Sequence, residues 1–304
     1  MATLAEKLGH ILIPLVTPFK RDNGDVNYEV MEKLVDHLIT KRFCDSLIVT
    51  GTTGEFNTLT PEERIELFKV VKKAANSRVP LIAGTGAASA REAIGLTQAA
   101  EKMGYEVAMV VGPYYCKPIQ EGVYQYFKSV ADSVSIPIMM YNIPILTGVN
   151  VAPSTVARLC EIKNVKGIKD EAGINPTQMT DYRLVTPDDF TIYNGDDIMV
   201  LCGLAQGAAG VVSGGSHVIG DKMRAMIDFF LSGRNDKARE IHLALHPFYK
   251  SMAPGEHTLP TPLLRAAIEM TGIPVGPPRL PLLEHTPEDK EAVRKHLVRL
   301  GVIS

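Results

Sequence analysis

Between Ile11 and Ser213 the chain repeats one pattern: a short apolar run rich in β-branched residues, bounded by Gly or Pro, then a longer segment with helical periodicity. The runs stand at Ile11–Phe19, Ser46–Gly51, Pro80–Gly84, Val107–Gly112, Pro137–Tyr141, Val165–Lys169, Phe190–Asn194 and Ala209–Ser213. A helical crossover between strands makes them parallel. Val107–Val111 and Ile138–Met140 are apolar at every position, as strands covered on both faces are. Eight such units predict an α/β fold, a closed (β/α)8 TIM barrel, because open doubly wound sheets usually stop at about five or six strands.

The helices carry their own start signals. Thr60-Pro61-Glu62-Glu63 offers a capping hydroxyl, a proline at the first helical position, and a glutamate placed to bond back to the cap amide. Ser89 with Glu92 repeats the box, Gly104 is placed to end that helix, and Pro153-Ser154 opens another. After Gly215 the alternation stops, and Asp221–Leu231, Asp236–Met252, Leu259–Met270 and Glu288–Leu300 all read as helix. The expected organisation is a catalytic barrel over 1–220 and a C-terminal helical extension over 221–304, packed on the barrel.

Composition removes several functions. Lys+Arg 32 against Asp+Glu 34, with no clustered basic run, gives no footprint for a phosphate backbone, so no nucleic acid partner is expected. The longest apolar runs fall well short of the roughly 20 residues that span a bilayer, so no membrane association is expected. With no leader pattern at the N-terminus, the chain reads as cytoplasmic. The cysteines Cys44, Cys116, Cys160 and Cys202 are far apart and form no CxxC, so they are expected as reduced thiols.

Barrel enzymes draw their chemistry from the C-terminal ends of strands. The sixth strand ends Lys169-Asp170-Glu171, and alternation places Val165, Gly167, Lys169 and Glu171 on one face, with small Gly167 leaving room for a long side chain. A desolvated lysine is held toward the neutral amine that attacks a carbonyl; the plain alternative is a lysine that snorkels out to a carboxylate. Tyr141 at the tip of the fifth strand is either a proton carrier or a core tyrosine. Gly51-Thr52-Thr53-Gly54-Glu55 after the second strand suits a small anion such as a carboxylate, though any tight turn favours glycine. Gly84-Thr85-Gly86 is a fragment of a dinucleotide fingerprint without the acidic residue that should follow, and Ser213–Ser216 is either a phosphate loop or a plain turn. His242 and His246 share a helix face but lack the glutamate of a zinc protease motif, so no metal is expected.

Taken together, Gly51–Glu55, Gly84–Gly86, Pro113-Tyr114-Tyr115, Tyr141-Asn142-Ile143-Pro144, Gly167-Ile168-Lys169 and Asn194-Gly195-Asp196-Asp197 resemble the dihydrodipicolinate synthase and N-acetylneuraminate lyase family. The resemblance runs from Ile11 to Pro281. It implies a pyruvate-dependent class I aldolase or lyase, a homotetramer, with neither metal nor organic cofactor. Lys169 matches the Schiff-base lysine and Tyr141 the tyrosine that shuttles protons at the imine carbon. Thr52 and Thr53 match the pair that binds the pyruvate carboxylate, with Thr53 in the proton relay. Tyr115 matches a tyrosine that completes the relay, typically in a neighbouring subunit, and Val212 falls where a backbone carbonyl touches the ketoacid.

Two departures bear on the second substrate. Relatives that make lysine precursors carry Arg two residues after the Pro of Tyr-Asn-x-Pro, where it binds the carboxylate of aspartate semialdehyde; here that place is Leu146. Its loss removes a charge-assisted contact worth roughly 1.5–3 kcal/mol. Sialate lyases carry Asp-Glu where this chain has Asp197-Ile198, so sialic acid is disfavoured too. Glu171 stands where relatives usually have Thr or another small residue, and the expected role is a hydrogen bond to substrate hydroxyls or a second acid/base; a glutamate turned to solvent or paired with a cation is the plain reading. The first expectation is therefore cleavage or dehydration of a 2-keto-3-deoxy sugar acid through a lysine imine, ahead of condensing pyruvate with aspartate semialdehyde as 4-hydroxy-tetrahydrodipicolinate synthases do.

Overall fold

The computed structural model describes residues 2–171, 175–255 and 259–304. Eight strands close into a barrel in chain order: β1 Ile11–Pro14, β2 Ser46–Val49, β3 Leu81–Gly84, β4 Val107–Val111, β5 Ile138–Asn142, β6 Val165–Asp170, β7 Thr191–Asn194 and β8 Val211–Val212. Every pairing with a recorded register is parallel, and β1 meets β8 through Ile11 with Val211 and Leu12 with Val212. The (β/α)8 expectation and the run of helices toward the C-terminus both hold.

Strand ends differ from the sequence reading for local reasons. β1 stops at Pro14 rather than Phe19; the prolines at 14 and 18 bring no N–H to a ladder, and Phe19 instead bridges Val26 and donates its N–H to the Val275 carbonyl. β2 stops at Val49 because Thr50 sits at φ 56°, which turns the chain out of the sheet. β8 is cut to two residues. β5 and β6 instead run one residue further, to Asn142 and Asp170, which pair in register and also through their side chains at 2.9 Å.

The chain divides into two compact units. The first, Met1–Leu12, Asp45–Val49 and Pro80–Val212, carries nearly all of the barrel strands. Alternation sends Ala108, Val110, Ile138, Met140, Ile168 and Ile192 into a core shared with Val123, Phe127 and Val130 of helix Gln120–Asp132, Val156 and Leu159 of Pro153–Leu159, and Tyr182 of Gln178–Val185. Each fully buried aliphatic side chain contributes about 1.5–3 kcal/mol. The other strand face turns inward and ends at the site residues. Helix Leu4–Leu8, opened by a Thr3–Glu6 capping box, buries Leu4 and Leu8. A Cβ on Gly167 would lie 2.7 Å from the Thr191 carbonyl oxygen and 3.2 Å from Leu4. The space at Gly167 therefore admits Leu4 and the neighbouring strand, not the Lys169 side chain.

The second unit, Ile13–Cys44, Thr50–Val79 and Ser213–Ser304, gathers helices Tyr28–Thr40 and Pro61–Ala75 with the C-terminal helices Ser216–Leu231, Asn235–Ser251, Thr261–Met270 and Pro287–Arg299. The capping box at Thr60 and Glu63 forms as expected, with Pro61 at the first turn. In the first unit the Ser89 hydroxyl accepts from the Glu92 amide, and Gly104 at φ 73° lies just past the end of that helix. Among the described residues no helix is long and apolar enough to cross a membrane, and all four cysteines are free thiols.

Candidate active site

In the first unit β5 and β6 are paired with Tyr141 opposite Lys169, so both side chains leave the sheet on the inner face side by side. Glu171 lies two residues beyond Lys169 on the same face, and its backbone N–H donates to the Asn142 carbonyl at 2.9 Å, which fixes it at the end of the ladder. The three side chains meet. Tyr141 donates its phenol to Glu171 Oε2 at 2.7 Å, and Lys169 Nζ is 3.0 Å from the same oxygen. Nζ also lies 3.8 Å from the centre of the Tyr141 ring, a cation–π contact. The Lys169 side chain is 6% exposed and that of Glu171 29%, so the amine is covered while the carboxylate edge is reachable.

The cluster is held from both sides. A Cβ on Gly195, past the end of β7, would fall 2.7 Å from Lys169 Cε and 2.8 Å from Glu171 Cβ, so this glycine makes the room that the pair occupies. On the other face of the strands, Asn142 donates to Asp170, to Asn150 and to the Tyr182 hydroxyl, while Gln178 donates to Asp170 and Asn150 donates to Gln178. Desolvation raises the Tyr182 phenol well above its ordinary range, so it stays protonated and donates to the Val151 carbonyl at 2.6 Å. This buried network locks the strand tips that carry Tyr141 and Lys169. Sequence reading passed over it; the signal was a string of amides, Asn142, Asn150 and Gln178, beside apolar runs.

The remaining candidates lie elsewhere in the fold. Tyr115 follows β4 in a left-handed conformation, φ 74°, with 90% of its surface exposed. Leu146, in the short helix Pro144–Thr147, is 38% exposed, and Val212 is buried at the end of β8. In the second unit Thr52 and Thr53 are half-buried in the turn after β2. In that turn the left-handed conformations do not fall on the two glycines. Its left-handed residues are Thr50 and Glu55, and Gly54 is required by close approach, since a Cβ would lie 2.9 Å from the Leu15 carbonyl oxygen. The N–H groups of Gly54 and Phe56 are donated to the Gly51 carbonyl and that of Glu55 to the Thr52 carbonyl.

Glu55, which sequence reading gave no role, anchors this turn. Its Oε1 takes Arg265 Nη1 at 2.9 Å and its Oε2 takes the Arg279 amide at 2.9 Å, and both charged side chains of the pair are 1% exposed. The signal was an arginine inside the apolar helix segment Leu263-Leu264-Arg265-Ala266-Ala267-Ile268. Two ambiguous motifs resolve as structural. Ser213 and Ser216 are fully buried and bond to each other at 2.6 Å, and Thr85 bonds Thr97 at 2.8 Å.

A closed parallel barrel that gathers a covered lysine, a tyrosine and a carboxylate at its strand ends has the layout of a barrel enzyme's active site. The model of the dihydrodipicolinate synthetase family matches residues 7–300, and the chain belongs to that family of pyruvate-dependent lyases and synthases. It is 45% identical over 286 residues to a 4-hydroxy-tetrahydrodipicolinate synthase of Desulforudis audaxviator, covering 94% of this chain and 95% of that protein. It is 47% identical to the enzyme of the same name from Acaryochloris marina, covering 91% and 92%. Among solved structures it resembles the dihydrodipicolinate synthase of Cyanidioschyzon merolae, with TM-score 0.92, 37% identity and coverage of 97% and 99%. The corresponding Bacillus anthracis structure gives TM-score 0.89 at 41% identity, covering 96% and 98%.

Proposed function

We propose that this enzyme forms an imine between Lys169 and pyruvate and then joins the enamine to an aldehyde, or releases one by the reverse step. The observation that carries this reading is the covered Lys169 amine within 3.0 Å of a carboxylate that also takes the Tyr141 phenol. The protonated imine is the electron sink, so the reaction as written needs no metal or organic cofactor. Tyr141 carries protons at the imine carbon. Thr52 and Thr53 hold the ketoacid carboxylate, with Thr53 in the relay, and the Val212 carbonyl touches the bound ketoacid. Tyr115, projecting into solvent from one copy, completes the relay in a second copy of a homotetramer. We place the protein in the cytoplasm.

The names of its relatives support aspartate semialdehyde as the aldehyde, which makes the enzyme a 4-hydroxy-tetrahydrodipicolinate synthase. A second reading has its own observation: Leu146 gives a second carboxylate no cation, which favours a 2-keto-3-deoxy sugar acid as substrate, cleaved or dehydrated. The test is pyruvate consumption by the purified protein with aspartate semialdehyde, after borohydride with pyruvate has added the reduced adduct to Lys169. Robust turnover supports the synthase and removes the need for a cation at 146. Adduct without turnover moves the search to sugar acids, and no adduct on Lys169 overturns both.

A further inference from the structure

We infer that Glu171 is a catalytic residue of imine formation, the group that takes the proton from Lys169 and returns it to the departing water. The inference rests on the imine chemistry assigned to Lys169 and adds a step to it. One oxygen, Glu171 Oε2, sits between the lysine amine at 3.0 Å and the tyrosine phenol at 2.7 Å. A lysine held as ammonium cannot attack a carbonyl, so something adjacent must accept its proton. Among the described residues Glu171 supplies the only carboxylate recorded in an ion pair with Lys169; Asp170 points to Asn142 and Gln178 on the other face.

The step balances. The ammonium gives one proton to the carboxylate, leaving a neutral amine and a carboxylic acid. The amine attacks the ketone carbon, and the N–H proton it sheds passes to the former carbonyl oxygen through the Tyr141 hydroxyl. The carboxylic acid then protonates the new hydroxyl on the former ketone carbon, the C–O bond there breaks, and water leaves. Lysine ammonium plus ketone has become protonated imine plus water, and the regenerated carboxylate stands beside the positive nitrogen. Its reachable edge lets water depart on that side, and Gly195 lets the lysine and glutamate side chains lie close enough for the exchange.

The test is the rate at which pyruvate becomes trappable by borohydride on Lys169, read by intact mass after rapid mixing and quench. Glu171→Gln is expected to slow this rate about 100-fold or more while keeping the melting temperature. Glu171→Ala should be slowed similarly and recover at least about tenfold when formate is added, since a small carboxylate can occupy the vacated space; Glu171→Gln, with that space filled, should not recover. A counter-ion role alone would change the amount of imine at equilibrium and leave the approach to it fast. Trapping at the wild-type rate in both variants overturns the inference, as does a slowed Glu171→Ala that formate leaves slow. Should Glu171→Ala fail to fold, the Glu171→Gln rate decides. A wild-type protein that traps no pyruvate on Lys169 overturns the proposed function itself, a different result from either.

Discussion

Two carboxylate–cation pairs, Glu55 with Arg265 and Glu171 with Lys169, are built differently. Glu55 and Arg265 in the second unit are both 1% exposed, and Arg265 spends its donors on Glu55 and on the carbonyls of Thr17, Val275 and Gly276 at 2.6–2.9 Å. Burial pushes the Glu55 carboxyl upward against the pull of Arg265, and the Arg279 amide adds a further bond to the carboxylate. Arginine is the right cation here, since its planar fork serves several acceptors and does not deprotonate. Lys169 and Glu171 share one bond at a partly open edge, and lysine is the cation that can become a nucleophile. Saturation with hydrogen bonds makes the first pair a fastener; in the imine chemistry proposed above, incompleteness suits the second to be a reagent.

The contrast is sharpest in what each cation's removal does. Lys169→Met should abolish borohydride adduct and lower turnover by roughly 10⁴-fold or more, since the nucleophile itself is gone. Stability should move by less than about 1 kcal/mol, because water reaches the Glu171 left behind. Arg265→Met should do the reverse, costing about 3–5 kcal/mol in a urea titration by leaving Glu55 buried and unpaired. If Arg265→Met lost activity at unchanged stability, the division between fastener and reagent would be wrong.

A third buried group tests the second unit by pH. His217 is fully buried, its Nδ1 2.8 Å from the Gly214 carbonyl and its Nε2 accepting from the Val16 amide at 3.3 Å, an arrangement that holds the neutral ring. Desolvation lowers its pKa to about 4. The unfolded chain therefore binds the proton first, so this contribution is complete above about pH 6.5 and is lost as pH falls toward 4, roughly 3 kcal/mol in all. Urea midpoints across that range should fall in the wild type, and His217→Gln should flatten the step.

The frame was more legible than the site. Periodicity and Gly/Pro punctuation are local, so the strands and most helix starts could be read, as could the face shared by Lys169 and Glu171. What could not be read depends on what lies across a gap. Gly167 looked like room for Lys169 but admits Leu4, which is 163 residues away in sequence and close in space (167 − 4). The partners of Glu55 and the amide network behind Lys169 are likewise long-range. The end of β2 turns on a left-handed Thr50, a conformation that residue type argues against.

The finest test of the comparison adds one carbon. In Gly195→Ala the new Cβ meets Lys169 Cε at 2.7 Å, a flexible chain end that can yield, and Glu171 Cβ at 2.8 Å, which is tied to the strand. The lysine should therefore shift more than the glutamate and the distance between them should open. A misplacement on the order of 1 Å at reacting groups can cost up to about 100-fold, so kcat should fall by roughly 10- to 100-fold, with a loss of stability held to about 1–3 kcal/mol in a urea titration. The same substitution beside a saturated pair would show mainly as lost stability, since no donor there can move without leaving another acceptor bare. A Gly195→Ala protein that unfolds early but turns over normally would place Lys169 and Glu171 with the fasteners after all.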